Sequence, residues 1–305
     1  MIRVTFLGTA ASRPTVGRNV SSVVVQRMSE VLMFDCGEGT QRQMMRFGTG
    51  FTLDDIFFTH MHADHFLGVI GLLRTLGLQG REAPVTLWTP SGTRGVIEEA
   101  VHLGVERVPF DVRIRELSPG EAVEREEYEI VPFETAHGGR SLGYAVVEHS
   151  RLGRFNPERA VELGVPPGPL FGRLHAGEVV EVEGRTVRPE EVVGPERPGR
   201  RVVYTGDTRP SQGTVTAAAS ADLLIHDATF AEEEAERARK TGHSTAREAA
   251  AVARDAGALR LVLTHISPRY AEDPRTLEQE ARETFPQTVV AHDGLTVEVP
   301  YRDAD

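Results

Sequence analysis

The stretch richest in chemistry is His60-Met61-His62-Ala63-Asp64-His65. Imidazole and carboxylate are the usual ligands of divalent zinc, and four of them fall within six residues. His60 and His62 follow the apolar run Ile56-Phe57-Phe58-Thr59 onto a loop, where alternate residues can converge on one ion. Asp64 and His65 open the helical pattern that follows and need not share the face of the first pair. The spacing therefore suits two ions side by side, and two metals about 3.5–4 Å apart can clamp the attacking and leaving oxygens of a phosphoryl transfer. A lone histidine is more often a satisfied structural residue. Four clustered polar side chains at a strand end need partners to offset their desolvation, which disfavours a structural role for the whole cluster.

The remaining ligands are expected at other strand ends. His137 follows the apolar stretch Ile130-Val131-Pro132-Phe133, Asp207 follows Val202-Val203-Tyr204-Thr205-Gly206, and His265 follows Leu261-Val262-Leu263-Thr264. Each alone is as readily structural as ligating; recurring at successive strand ends, they read as ligands. A carboxylate has two oxygens, so Asp207 can serve both ions. The expected sets are His60, His62, His137 and Asp207 on one zinc, and Asp64, His65, His265 and Asp207 on the other.

The elements that must position these groups are short apolar strands, continuous rather than alternating, which suggests sheets covered on both faces. Helical periodicity intervenes over 66–76 and 245–256, giving an α/β architecture. Polar residues at the carboxyl ends of buried strands are where such sheets bind ligands. Residues 151–199 differ, being rich in Pro, Gly, Glu and Arg around Gly164-Val165-Pro166-Pro167-Gly168-Pro169, a density that excludes long regular elements. They read as an arm inserted in a single domain spanning 1–305: a short helix over 157–163, a Gly-Pro turn, and a strand-like return over 178–182. The alternative is a solvated loop.

At 305 residues, 40% hydrophobic and 26% charged, the composition is that of a globular protein with a sizeable core. No run of about 18 apolar residues occurs, so no membrane span is expected. The first residues alternate like a strand and lack the zones of a signal peptide, and the single Cys36 cannot make an intrachain disulfide; both point to the cytoplasm. The net charge of −11 cuts against a nucleic-acid substrate, because such affinity depends on cations neutralising phosphates. Bound divalent metal would place positive charge where a phosphate must sit, and the chain favours Arg, which grips phosphate in two-pronged fashion.

These residues resemble the metallo-β-lactamase superfamily, whose signature is His-x-His-x-Asp-His with distant His, Asp and His ligands. Within it the chain is similar to the ribonuclease Z family of tRNA 3′-processing endonucleases, from Val4 to about Val299. Phe6-Leu7-Gly8-Thr9, Arg18-Asn19-Val20-Ser21-Ser22, Phe34-Asp35-Cys36-Gly37-Glu38-Gly39-Thr40-Gln41-Arg42-Gln43, Thr205-Gly206-Asp207-Thr208-Arg209-Pro210 and Thr264-His265-Ile266-Ser267-Pro268-Arg269-Tyr270 all resemble family segments. The resemblance implies an αββα sandwich with an inserted flexible exosite arm, and two zinc ions per subunit, with manganese as the other metal considered. It implies that Asp35 braces the metal loop, and that the arm around Gly168 and Pro169 grips precursor tRNA. It also implies a homodimer in which one subunit's arm holds the tRNA cut by the other.

Asp64, on one metal and near its bound water, is the candidate general base, and Ser267, Arg269 and Tyr270 are candidate substrate contacts. By the same resemblance, His243, in Gly242-His243-Ser244-Thr245, would protonate the leaving oxygen with support from Asp227, which stands where the family often has Glu. The residue-level alternative for His243 is a helix-start residue beside a Ser/Thr cap. The expected products are a tRNA 3′ hydroxyl and a trailer 5′ phosphate. The metal motifs alone equally fit a dinuclear hydrolase of small esters, of the cyclic-nucleotide phosphodiesterase, arylsulfatase or lactonase type. A non-catalytic RNA-binding module is disfavoured, because such a protein should have lost ligands and all seven are present.

Overall fold

A computed structural model of the chain describes residues 1–105 and 107–302; residues 303–305 of the expected 1–305 span lie outside them. The chain divides into two units, one comprising Met1–Val147 and Arg201–Pro300, the other Glu148–Arg200 with Tyr301 and Arg302.

The first unit is built on two seven-stranded sheets. One contains β1 (Ile2–Gly8), β2 (Ser22–Arg27), β3 (Glu30–Phe34), β4 (Asp55–Phe57), β5 (Val85–Pro90), β6 (Val112–Leu117) and β16 (Thr296–Val299), in the order β16-β1-β2-β3-β4-β5-β6. The other contains β7 (Val123–Glu124), β8 (Tyr128–Glu134), β9 (Leu142–Glu148), β12 (Arg201–Tyr204), β13 (Leu223–Asp227), β14 (Leu261–Thr264) and β15 (Thr288–Val290), in the order β15-β14-β13-β12-β9-β8-β7. In each, one half is parallel: β3 to β6 in the first and β12 to β15 in the second. Parallel strands buried on both faces carry continuous apolar runs, and every residue of β13 and β14 is buried.

The layers follow from which side chains share a core. Phe6, Val23, Phe34 and Phe57 of one sheet pack with Tyr144, Val202, Tyr204, Ile225 and Val262 of the other. The outer face of the first sheet (Leu7, Met33, Ile56, Leu87) is covered by α1 (Thr40–Phe47), α3 (Gly68–Leu78) and α4 (Arg94–His102). That of the second (Val203, Leu224, Leu261, Leu263) is covered by α7 (Gln212–Ala217), α9 (Ala246–Asp255) and α10 (Arg275–Thr284). The result is an αββα sandwich. The helix expected over 66–76 starts earlier, as α2 (Ala63–Phe66), and continues past Leu67 into α3. α8 (Ala235–Thr241) precedes α9, which starts at a reciprocal cap: Thr245 Oγ1 accepts from Glu248 N at 3.2 Å, and the Glu248 carboxylate accepts from Thr245 N at 2.9 Å. Among the described residues no helix is long and apolar enough to cross a membrane.

The second unit has its own small core rather than being a solvated loop. α5 (Pro157–Glu162), α6 (Pro169–His175) and a hairpin of β10 (Val180–Val182) and β11 (Arg185–Val187) enclose Ala160, Leu163, Val165, Leu174, Val180, Val187 and Val192. Where only a turn is expected from the sequence, α6 begins. Pro169 is the first residue of that helix, where proline's missing N–H removes no intrahelical bond.

Candidate active site

The clustered side chains come from the carboxyl ends of β4, β8, β12, β13 and β14 in the first unit. The turn after β3 braces them. Asp35, left-handed at φ 57°, accepts from Thr59 N at 2.8 Å through Oδ1, and through Oδ2 from His65 Nδ1 and Tyr204 OH, both at 2.8 Å. Such a conformation costs a non-glycine residue on the order of 1 kcal/mol and persists only where its surroundings over-determine it. His265 is left-handed as well, at φ 59°. The turn fits because a Cβ on Gly68 would fall 1.9 Å from the Gly37 carbonyl oxygen.

The hydrogen bonds fix which nitrogen each imidazole presents. His137 Nδ1 lies 2.8 Å from the Gly242 carbonyl, which only accepts, so Nδ1 carries the proton and Nε2 is a bare lone pair. Thr59 Oγ1 donates to Asp35 at 2.9 Å and therefore accepts from His60 Nδ1 at 3.0 Å, leaving His60 Nε2 bare. His65 donates Nδ1–H to Asp35. Thr229 Oγ1 donates to Asp227 at 2.7 Å and accepts from His265 Nδ1 at 2.9 Å. Four histidines thus turn Nε2 inward, each held by a partner on its other nitrogen, the arrangement typical of metal-binding imidazoles.

These lone pairs meet one another. His62 Nδ1 stands 2.9 Å from His60 Nε2 and 3.2 Å from His137 Nε2. Asp207 Oδ2 faces His60 and His137, both at 3.7 Å. Its other oxygen, Oδ1, faces His65 Nε2 at 3.2 Å and His265 Nε2 at 3.3 Å. Asp64 Oδ2 lies 3.3 Å from His265 Nε2 and accepts from Ser12 N at 2.8 Å. His65 Nε2 and Asp207 Oδ1 are buried and, despite their separation, make no hydrogen bond. Ligand atoms crowded together this way fit a divalent cation on either side of Asp207. His60, His62, His137 and Asp207, with ligand atoms within 4.8 Å of one another, can hold one; Asp64, His65 and His265 form a second such group, and Asp207 Oδ1 faces its two imidazoles at 3.2 and 3.3 Å.

The electrostatics agree. Burial and the neighbouring His65 push the His60 pKa well below its ordinary value, favouring the neutral ligand form. Burial pushes Asp207 up, but the charges of His265 and His65 bring it well below the usual carboxylate range. Burial likewise opposes ionisation of Asp64, and the neighbouring His265 and His65 overcome it. For His65, burial lowers the pKa and the carboxylates of Asp207 and Asp35 drive it well above the usual value. That position strongly favours a positive charge.

Asp227 and His243 also have oxygen and nitrogen atoms close to Asp207 and His265, but Asp227 is saturated. Its Oδ1 accepts from Thr229 N at 2.9 Å and Thr229 Oγ1, and its Oδ2 from Thr208 N at 3.1 Å and His243 Nδ1 at 2.8 Å. A carboxylate with four donors is an orienting group rather than a free ligand. Although shorter than Glu, Asp227 reaches His243 at hydrogen-bond distance. Burial lowers the His243 pKa, and the adjacent Asp227 charge more than reverses this, raising it to about 9.

The expected substrate contacts divide. Ser267 and Arg269 line a hollow of about 530 Å³ with Ser12, Arg13, Phe230, Arg237 and His243. Tyr270 does not line it; its hydroxyl lies 3.3 Å from both Ala231 N and Glu234 Oε2, so it fastens local structure. Gly168 and Pro169 are exposed in the second unit. Sequence reasoning missed Thr59, Thr229 and Tyr204, which set the tautomers and brace Asp35. For Thr59 and Tyr204 the signal was a hydroxyl inside or at the end of an apolar run, where burial demands a partner; Thr229, beyond His226 and Asp227, carries no such signal. It also missed the Ser12 amide, a backbone group on a left-handed residue (φ 61°) with no side-chain signature.

Residues 15–265 match the metallo-β-lactamase superfamily. The chain is 58% identical over 299 residues to a ribonuclease Z of Gemmatimonas aurantiaca, covering 97% of this chain and 95% of that one. It is 55% identical over 307 residues to a ribonuclease Z of Haloferax volcanii, covering 100% and 97%. The chain belongs to the ribonuclease Z family. Among solved structures, the short form of human tRNase Z matches with a TM-score of 0.72 and 28% identity, over 98% of this chain and 99% of that one. A diphosphatase of the PhnP family (TM-score 0.65, 21% identity, 99% of both chains) shares the fold. Membership in the superfamily implies use of divalent metal, in keeping with the His/Asp clusters at the strand ends.

Proposed function

We propose that the chain is a zinc-dependent endoribonuclease that removes the 3′ trailer from precursor tRNA, leaving a tRNA 3′ hydroxyl and a trailer 5′ phosphate. The observation that carries the catalytic reading is Asp207, whose two oxygens face separate groups of imidazoles. The family's ribonuclease Z members supply the substrate class. Two zinc ions per subunit suit a donor set of five imidazoles and two carboxylates. When bound, such a pair supplies Lewis-acid polarisation of the phosphoryl oxygens and a water of lowered pKa.

The chain's own residues supply the proton transfers and the positioning. Asp64 holds Oδ2 against Ser12 N and His265, leaving Oδ1 to take a proton from the attacking water. His243 is held by Asp227 through Nδ1, so Nε2 is the atom that delivers a proton to the leaving 5′ oxygen. Arg269 and Ser267, with Arg13 and Arg237 around the same hollow, provide donors for phosphate oxygens. Arg13, Arg237 and Arg269 bring positive charge to this hollow although the chain's total is negative, and Arg237 and Arg269 share Glu234 as a counter-charge.

The organisation proposed is one catalytic domain with residues 151–199 inserted as an arm that grips the tRNA, Gly168 and Pro169 marking its turn. The working form is a homodimer, one subunit's arm serving the other's site. The compartment is the cytoplasm, in keeping with a single buried, unpaired cysteine. The test is incubation of the zinc-loaded protein with end-labelled precursor tRNA and mapping of the cut. A single cut just 3′ of the discriminator nucleotide is expected, lost in Asp64→Ala. Cleavage elsewhere, or hydrolysis of small esters alone, would contradict the proposal.

A further inference from the structure

The root of the arm carries a cluster that the catalytic reading does not use. Glu148 and Arg200, which flank the arm and bound the main segment of the second unit, are 6% and 2% exposed. Glu148 N donates to the Arg200 carbonyl at 2.9 Å, and Arg200 sets Nε and Nη2 on the Glu148 carboxylate, each at 2.7 Å. Further along the two legs, Arg151 and Arg197 exchange backbone hydrogen bonds at 2.8 Å in both directions. Tyr301, two residues past the end of β16, meets the side chains of both legs. The Arg151 Cζ lies 3.4 Å from its ring centroid and the Arg200 Cζ 3.8 Å. Two guanidinium groups that close to one centroid take opposite faces, since on one face they would overlap.

A guanidinium paired with a carboxylate along its edge keeps its flat face for an aromatic ring. Arg200 uses both, so Glu148, Arg200, Tyr301 and Arg151 form one continuous stack across the two legs. We infer that Tyr301 is a positioning residue for substrate capture: its ring, clasped between Arg151 and Arg200, holds the legs of the arm together at their root. This rests on the reading of the arm as the part that grips tRNA. An arm already ordered loses less conformational freedom when it binds, so the effect belongs in affinity and not in the bond-breaking step. A residue that merely filled space would be replaced adequately by leucine, whereas the stack needs a π face, which phenylalanine keeps.

The experiment compares Tyr301→Leu and Tyr301→Phe in the full-length, zinc-loaded protein. Tyr301→Leu is expected to raise the KM for precursor tRNA roughly fivefold to tenfold, with kcat on bis(p-nitrophenyl) phosphate unchanged, and Tyr301→Phe to match wild type. Hydrogen exchange supplies a readout independent of tRNA: the amides of Arg151 and Arg197 are expected to exchange faster in the leucine variant alone. Unchanged exchange would overturn the clasp while leaving the reading of the arm intact. Faster exchange with an unchanged KM would sink that reading, and the functional part of the inference with it. Equal loss on both substrates would show Tyr301 to be a general structural residue.

Discussion

Replacing Asp227 with Asn tests the proton-delivery pair with little change of shape. Asp227 accepts four hydrogen bonds, and the one to His243 Nδ1, at 2.8 Å, fixes that ring. An amide NH₂ at Oδ2 would face the amide of Thr208 and the ring N–H of His243; at Oδ1 it would face two donors from Thr229. Either way the charge-assisted bond that keeps the proton on Nδ1 is lost. A hydrogen bond to a charged group contributes about 1.5–3 kcal/mol, which at about 1.4 kcal/mol per tenfold converts to a loss of roughly 10- to 150-fold in kcat. His243→Ala, which removes the donor itself, should lose about 10²- to 10⁴-fold. The assay is a comparison of leaving groups. Cleaving RNA expels an alkoxide that needs a proton, whereas p-nitrophenolate departs without one. Both variants should therefore be slow on precursor tRNA and close to wild type on bis(p-nitrophenyl) phosphate. Equal loss on the two substrates, with the melting temperature unchanged, would refute the assignment of His243 as proton donor.

Three further outcomes are expected. Replacing residues 151–199 with a short linker, which the adjacency of Glu148 and Arg200 permits, should raise the KM for precursor tRNA while sparing small-ester turnover; a smaller deletion would expose the arm's own valines, and equal loss on both substrates would count against the grip. Gly68→Ala would push a methyl group into the Gly37 carbonyl and should lower Tm by roughly 5 °C; an unchanged melting curve would refute the close-packed turn. Cys36 is fully buried and burial pushes its thiol up to about 12, so the thiolate form is negligible below about pH 10 and a thiol-specific reagent should label it only after denaturation; rapid labelling of the native protein would contradict this.

The site was legible in sequence to the extent that its chemistry is local. His60, His62, Asp64 and His65 announce themselves because four ligands share six residues. His137, Asp207 and His265 stood out only because each ends an apolar run. The pairing of Asp227 with His243 spans 16 residues and was reached through family resemblance, since neither spacing nor periodicity connects the end of β13 to the loop before α9. The tautomers set by Thr59 and Thr229 depend on a network closed only by folding. Within the arm, proline and glycine were read as breakers, and α6 was missed because Pro169 begins a helix rather than ending one. Pairing of β1 with β16, from the two ends of the chain, has no local signal.

Whether Asp207 joins two cation sites is tested most directly by anomalous X-ray scattering at the zinc edge from crystals of the zinc-loaded protein. Two peaks are expected beside Asp207, one among His60, His62 and His137, the other among Asp64, His65 and His265. A single peak, or a second peak seated on Asp227 and His243, would contradict the account.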